Sequence, residues 1–312
     1  MTAEPPAAHF GDRLAAAVAA RESQVVLGLD PDPARLWPEA VQAGNAAAGG
    51  PAERAAAAVV AHCAAAIAAA GPACVAVKPQ LACFERLGAA GWAALARVVA
   101  CAREQQLLVL ADAKRGDIDV SAAAYAQALV GSTGTPWGEV GGLAADAFTA
   151  SPYLGPDTLR PLVDDARAAG RGVFVLVRTS NPGGAELQDR QLADGGRVWE
   201  RVAGWVDALG AESPGPQSGL ADVGAVTGAT VPEHLERLRE LMPRTPFLLP
   251  GIGAQGGQVQ DVAPAFAPGP AGGLITASRA IVRAHEAGGG SPAAAARAEA
   301  ERLRALAWTL AA

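Results

Sequence analysis

The feature that most constrains this chain is an alternation. Short apolar runs recur between longer stretches rich in Ala, Leu and Arg. The runs are 25–30 (VVLGLD), 74–79 (CVAVKP), 107–114 (LLVLADAK), 147–153 (AFTASPY), 172–180 (GVFVLVRTS), 222–229 (DVGAVTGA), 246–251 (PFLLPG) and 272–279 (GGLITASR). Each is apolar along its length and ends on polar residues, as strands buried on both faces of a parallel sheet do. Helical periodicity fills the gaps at 53–70, 89–104, 119–130, 157–169, 192–209, 232–241 and 258–266, and again at 292–311. Eight such units in 312 residues predict an α/β fold, a (β/α)8 TIM barrel forming a single domain over 1–312. An open doubly wound sheet is the alternative. A short helix near 9–20 is expected to cap the barrel bottom. Residues 39–52 read as a low-complexity loop insertion in the first connection, and 210–222 and 266–273 as further loops.

Composition removes several classes of function. The net charge is -6, without a basic patch interleaved with aromatics, so nucleic acid is not an expected partner. Cys63, Cys74, Cys83 and Cys101 show no CxxC spacing and read as buried thiols of a reducing cytoplasm. The four histidines are scattered, so no metal site is expected. The N-terminus lacks a basic segment followed by an apolar one, so no signal peptide is expected. The most apolar stretch, 55–71, is mostly alanine and carries His62; it reads as a packed helix and not a membrane span. A cytoplasmic location follows as an expectation.

The basic residues hold the sharper clue. Of 25, only two are lysines, Lys78 and Lys114; the rest are arginines. Wherever a positive charge suffices, this chain uses arginine. The two lysines mark positions where a compact ammonium that can give up a proton is needed. Both lie at strand ends, where a barrel of this type gathers its reactive groups. Asp112 and Lys114, two apart on a strand, share a face; with Ala111 and Ala113 turned to the helices, the pair faces the barrel mouth. Asp117 follows in the turn, where a helix N-cap is the structural alternative. A salt bridge alone would be the bland account of Asp112 and Lys114, but a buried ion pair costs desolvation.

Other strand ends add a second theme. Asp30, in GLDPDP, is placed to accept hydrogen bonds from sugar hydroxyls, with a turn-forming Asp-Pro as the alternative. The PGIGAQGG loop at 250–257 can bring backbone N–H groups to a phosphate, and a following helix would favour the anion. Ser278 and Arg279 end the next strand; loops after strands 7 and 8 are the usual phosphate position in such barrels. Gln255 could bridge a phosphate and a base edge. Ser151 is a candidate substrate contact. Arg178, Thr227 and the SNPG turn (180–183) read as structural and are left out of the site.

GLDP, VKP, LADAKRGDI, PGIGAQGG and ASRAI, in this order at successive strand ends, resemble the orotidine 5'-phosphate decarboxylase family, and SPYLG and RTSNPGG its longer bacterial branch. The resemblance runs from about Phe10 to the last helix. It implies decarboxylation of orotidine 5'-phosphate to UMP, the last step of de novo pyrimidine synthesis, without cofactor or metal. It also implies roles. Asp30 and Lys78 would bind ribose hydroxyls and hold a charge array, and Asp112 would face the substrate carboxylate. Lys114 would stabilise and protonate a C6 carbanion. Asp117, with Ile118 and Ser121, would reach the partner's site in a homodimer. Gln255, Gly256, Ser278 and Arg279 would hold the phosphate. The branch usually carries Asn where Ser151 stands. Related sugar-phosphate barrels hold Mg2+ with carboxylates and place an acid where this chain has Lys78. A binding-only barrel is the reading from another class.

Overall fold

The computed structural model describes residues 8–253 and 256–311. Eight parallel strands close a barrel: β1 (Val25–Leu29), β2 (Ala76–Pro79), β3 (Leu108–Arg115), β4 (Ala147–Ala150), β5 (Gly172–Arg178), β6 (Val223–Thr227), β7 (Phe247–Pro250) and β8 (Gly273–Ala277). Each pairs with its sequence neighbours, and β8 returns to β1 with Val25 opposite Ile275. The predicted barrel is the one observed, and the doubly wound alternative falls because the sheet has no edge.

The apolar runs divide between two cores. Alternate strand residues such as Val25, Val77, Val109, Val175 and Ile275 pack outward against the helices. Their neighbours Val26, Ala76, Leu110, Phe174, Leu248 and Leu274 fill the barrel interior. Burial on both faces explains why the strands read as continuous apolar runs. The N-terminal helix α1 (Phe10–Arg21) closes the bottom, as expected, by sending Phe10, Leu14 and Val18 into the interior cluster. Phe10 meets Phe174 edge to face at 6.0 Å. Gly172 makes the approach possible, since a Cβ there would sit 2.5 Å from the Phe10 ring.

Buried carboxylates at this end are clamped by arginine. Asp146, just before β4, takes Arg13 of α1 and Arg171, and its other oxygen accepts the Val109 amide at 2.9 Å. Asp222, just before β6, takes Arg167 at 2.6 and 3.1 Å. Arg239 has no carboxylate partner among the described residues. It donates to four backbone carbonyls, those of Met242, Thr245, Ala265 and Gly272, and lies over Phe247.

Several sequence expectations need correction. The 39–52 segment is not a plain loop: α2 (Pro38–Ala46) occupies most of it, and α3 (Pro51–Ala70) begins at its end. Alanine is the strongest helix former, and the Pro at the start of each helix suits the first turn. Helix α3 carries the 55–71 stretch. It is long and apolar enough to cross a membrane, yet 61% of its most apolar window is buried against the barrel. In its midst His62 is buried, with Nδ1 accepting the Trp37 amide at 3.2 Å. Burial, then the charges of Arg283 and His285, pulls its pKa down to about 4. Of the cysteines, Cys63 and Cys74 are buried, whereas Cys83 and Cys101, the latter on α4 (Gly88–Glu104), are half-buried. A small antiparallel hairpin, Ser132–Thr135 with Gly138–Gly141, lies outside the barrel with Trp137 fully out in solvent. Its Gly- and Thr-rich sequence has no buried face and so left no apolar signal.

Candidate active site

At the opposite end the strands surround a cavity of about 480 Å³, within the range of small-molecule sites. Asp30, Lys78, Asp112, Lys114, Ser278 and Arg279, all singled out from the sequence, line it. Asp112 is the centre. Its Oδ1 accepts from Lys114 Nζ at 2.5 Å and from the Thr149 hydroxyl at 3.0 Å. Its Oδ2 accepts from Lys78 Nζ at 2.5 Å and Gln80 Nε2 at 3.0 Å. Four donors saturate one carboxylate.

A local irregularity brings Lys114 to this carboxylate. The β3–β4 register runs Ala111 to Phe148, then Arg115 to Ala150, so four steps on β3 oppose two on β4. Bulges beside active sites re-aim side chains in this way. Lys114 lies in the bulge with φ of 48°, left-handed backbone that a residue with a Cβ adopts at a cost of about 1–2 kcal/mol. The prediction that both charged residues face the mouth holds, but through a bulge and not through regular alternation.

Electrostatics follow from packing. Asp112 is buried, which raises its pKa; Lys78 and Lys114 outweigh burial and hold it at about 2. Burial pulls the Lys78 ammonium down, and Asp112 and then Asp30 more than reverse this, so it stays charged. Lys114 is half-exposed and faces the cavity.

One side of the cavity is built from the last two strands and the loops that follow them. Ser278 follows β8 tightly packed on β1: a Cβ on Gly28 would lie 2.6 Å from that of Ser278. Gly251, Gly253 and Gly256 have φ of 106°, 74° and 93° and bend the loop after β7 so that Gly251 and Ile252 line the cavity. The following segment, Val259–Phe266, is a kinked 3-10 helix, so the expected α-helix terminus is absent there. Gln255 lies outside the described residues.

Two expected contacts, Ser151 and Gly256, and the three residues expected to serve a partner's site are not in the cavity wall. Asp117 is half-buried with Oδ1 accepting the Ile118 amide at 2.8 Å, and Ile118 and Ser121 are exposed. Ser151 and Gly256 also stand off the lining. In exchange, sequence reasoning missed Gln80, Thr149 and Thr276, and passed over the turn after β5: Thr179, Ser180 and Asn181 all line the cavity. A polar residue just past a strand end was the available signal, and RTSN carried it. Arg178 is structural as read, paired with Asp189 at 2.8 and 2.9 Å. Leu176, Val226, Leu248 and Ile252 form an apolar wall.

Comparison with known proteins agrees with this geometry. The family model described as "Orotidine 5'-phosphate decarboxylase / HUMPS family" matches residues 23–298. An orotidine 5'-phosphate decarboxylase of Haloarcula marismortui is 43% identical over 279 residues, covering 89% of this chain and 88% of that protein. One of Rhodopirellula baltica is 47% identical over 215 residues, covering 67% and 68%. The solved structure of Leishmania donovani OMP decarboxylase superposes with a TM-score of 0.68 at 34% identity, covering 96% of this chain and 98% of that one. The barrel, its charged mouth and these likenesses together place the chain in the orotidine 5'-phosphate decarboxylase / HUMPS family.

Proposed function

We propose that this chain decarboxylates orotidine 5'-phosphate to UMP and that Lys114 is the residue that makes the reaction possible. The observation that carries the reading is the Lys78–Asp112–Lys114 array, with a lysine free on one side to meet the substrate. Loss of CO2 from C6 leaves an sp2 carbanion whose electron pair lies in the ring plane, where the ring cannot delocalise it. Stabilisation must then be electrostatic, and a preorganised ammonium in a water-poor site supplies it without reorganisation. The same ammonium delivers the proton to C6. An arginine would stabilise the charge but would not protonate it.

Asp112 keeps Lys78 charged and holds both lysines in place. It also faces the carboxylate that leaves; two like charges ~4 Å apart at an effective dielectric of ~20 repel by roughly 4 kcal/mol. That stress is secondary to the electrostatics of the developing carbanion. Asp30, with Lys78, binds the ribose hydroxyls. Ser278, Arg279, Gln255 and the Gly256 backbone hold the phosphate, whose binding energy draws the loops closed. Ser151 is a pyrimidine contact on closure. No metal takes part in this reading: both Asp112 oxygens are already taken by ammonium groups, which leaves that carboxylate no oxygen for a cation.

The reading includes a homodimer. Helix α5 (Asp119–Leu129) exposes Val120, Ser121, Ala124, Tyr125 and Ala128 in a row without charge beyond Asp119. Exposed Ile118, Tyr153 and Leu154 lie at the same end of the barrel, just ahead of α5 and α6 (Pro156–Ala168), which pack together. Such a patch fits a second copy. Asp117, Ile118 and Ser121 stand beside it and outside their own cavity, as residues serving the partner's site would. Cytoplasmic placement completes the reading, on the four free thiols.

The deciding assay follows the absorbance of orotidine 5'-phosphate with purified protein in EDTA. Full conversion to UMP is expected. Activity that dies in EDTA and returns with Mg2+ would move the chain to the metal-dependent sugar-phosphate side of the family. Tight UMP binding without turnover would support a binding-only barrel.

A further inference from the structure

We propose that Thr149 is the positioning residue that holds Lys114 in its reactive conformation. The inference rests on the decarboxylase reading above and concerns a residue with no role in it so far. Thr149 is on β4, opposite the bulge of β3. Its side chain is almost wholly buried in the cavity wall.

One hydroxyl makes two bonds there. It accepts the Lys114 backbone N–H at 2.9 Å and donates to Asp112 Oδ1 at 3.0 Å. The direction is fixed by chemistry. The amide can only donate, so the single hydroxyl hydrogen must go to the carboxylate. Thr149 thereby ties the main chain of Lys114 to the acid that holds its ammonium. The closed ring runs from Lys114 N through Thr149 Oγ1 and Asp112 Oδ1 to Lys114 Nζ.

Such a tie is needed because the bulge gives Lys114 no ladder partner and leaves it at φ of 48°. Strained backbone persists where the surroundings over-determine it. Without the hydroxyl, Lys114 N–H loses its acceptor, and the residue is free to relax toward ordinary strand geometry. Its ammonium would then swing off the line to C6. Substrate binding would change little, since Asp30, Ser278 and Arg279 come from other strands.

The experiment compares wild type, Thr149→Val and Thr149→Ser. Two reactions are followed: decarboxylation, and exchange of the UMP C6 hydrogen for deuterium, which needs Lys114 but no loss of CO2. Thr149→Val is expected to lower both by about 10- to 100-fold, the cost of one misplaced group, with KM and the Kd for UMP within threefold. Thr149→Ser, which keeps the hydroxyl, is expected to stay within fivefold of wild type. Unchanged kcat in Thr149→Val, or KM and UMP affinity weakened as much as kcat, overturns the inference. Lys114→Arg is the control: if it remains active, the mechanism itself fails; if it is dead while Thr149→Val is normal, only Thr149 loses its role. Should Thr149→Val not fold, amide exchange at Lys114 in the wild type decides. Protection is expected, and exchange at the rate of a free chain overturns the inference.

Discussion

The two ends of the barrel bury the same kind of group and treat it differently. At the bottom, Asp146 and Asp222 are held by Arg13, Arg171 and Arg167. At the top, Asp112 is held by the chain's only lysines. Guanidinium forks match carboxylates bidentately, cannot lose a proton, and serve structure well. Ammonium groups make a poorer clamp and a better acid. The backbone follows the same division. At the bottom, Arg239 satisfies four carbonyls and Gly172 admits a packed ring; at the top, β3 bulges and Lys114 takes a left-handed φ. One end is clamped by guanidinium groups and the other carries a strained backbone at its ammonium groups.

That contrast can be tested by exchanging the cations. Lys114→Arg keeps the charge and removes the proposed proton donor, so kcat is expected to fall on the order of 10⁴-fold or more, about 5.5 kcal/mol or more in the barrier. The thermal midpoint should hardly move; a variant with a tenth of wild-type activity would dissolve the distinction. Val120→Arg, placed in the uncharged face of α5, is expected to halve the mass seen in sedimentation and lower kcat by about 100-fold or more, through loss of a shared site. A fully active monomer would refute the shared arrangement. At the bottom, Asp146→Asn leaves two arginines without their buried carboxylate and is expected to cost about 3 kcal/mol in urea unfolding, with kcat unchanged.

Stability against pH sharpens the comparison further. His62 stays neutral in the fold down to about pH 4, while the unfolded chain takes up a proton near pH ~6.5. Its contribution is therefore complete above that value and is lost as pH falls from about 6.5 to 4, by about 2–3 kcal/mol. His62→Phe should flatten that slope in urea titrations. Asp112 works lower: its folded pKa is depressed to about 2, so its share is present above about pH 4 and lost as pH falls toward 2. Arg13→Lys, the smallest effect, is expected to cost under about 1 kcal/mol and leave kcat alone.

Much of this is legible in the amino-acid sequence. Buried strands must be apolar and must end where polar chemistry begins, so eight runs announced a barrel and placed Asp30, Lys78, Asp112, Lys114, Ser278 and Arg279 at its mouth. Scarcity of lysine marked the pair that differs from every other cation. Less was visible where a residue's role depends on a neighbour distant in sequence. Thr149 looks like any strand threonine until the bulge sets its hydroxyl against Lys114 N. Gln80 gains meaning only beside Asp112. The 39–52 segment misled because alanine and glycine together suggest a loop, while tertiary packing lets the alanine-rich part form α2.

The sequence by itself determined the period of the elements, the apolar cores and the identity of the charged groups, because these depend on local spacing and on side-chain chemistry. Only the tertiary structure decided the register of β3 against β4, the four donors around Asp112 and the left-handed turn at Lys114. Those depend on hydrogen bonds between strands 34 to 37 residues apart, and the energy of closing such contacts belongs to the whole barrel and to no single segment of it.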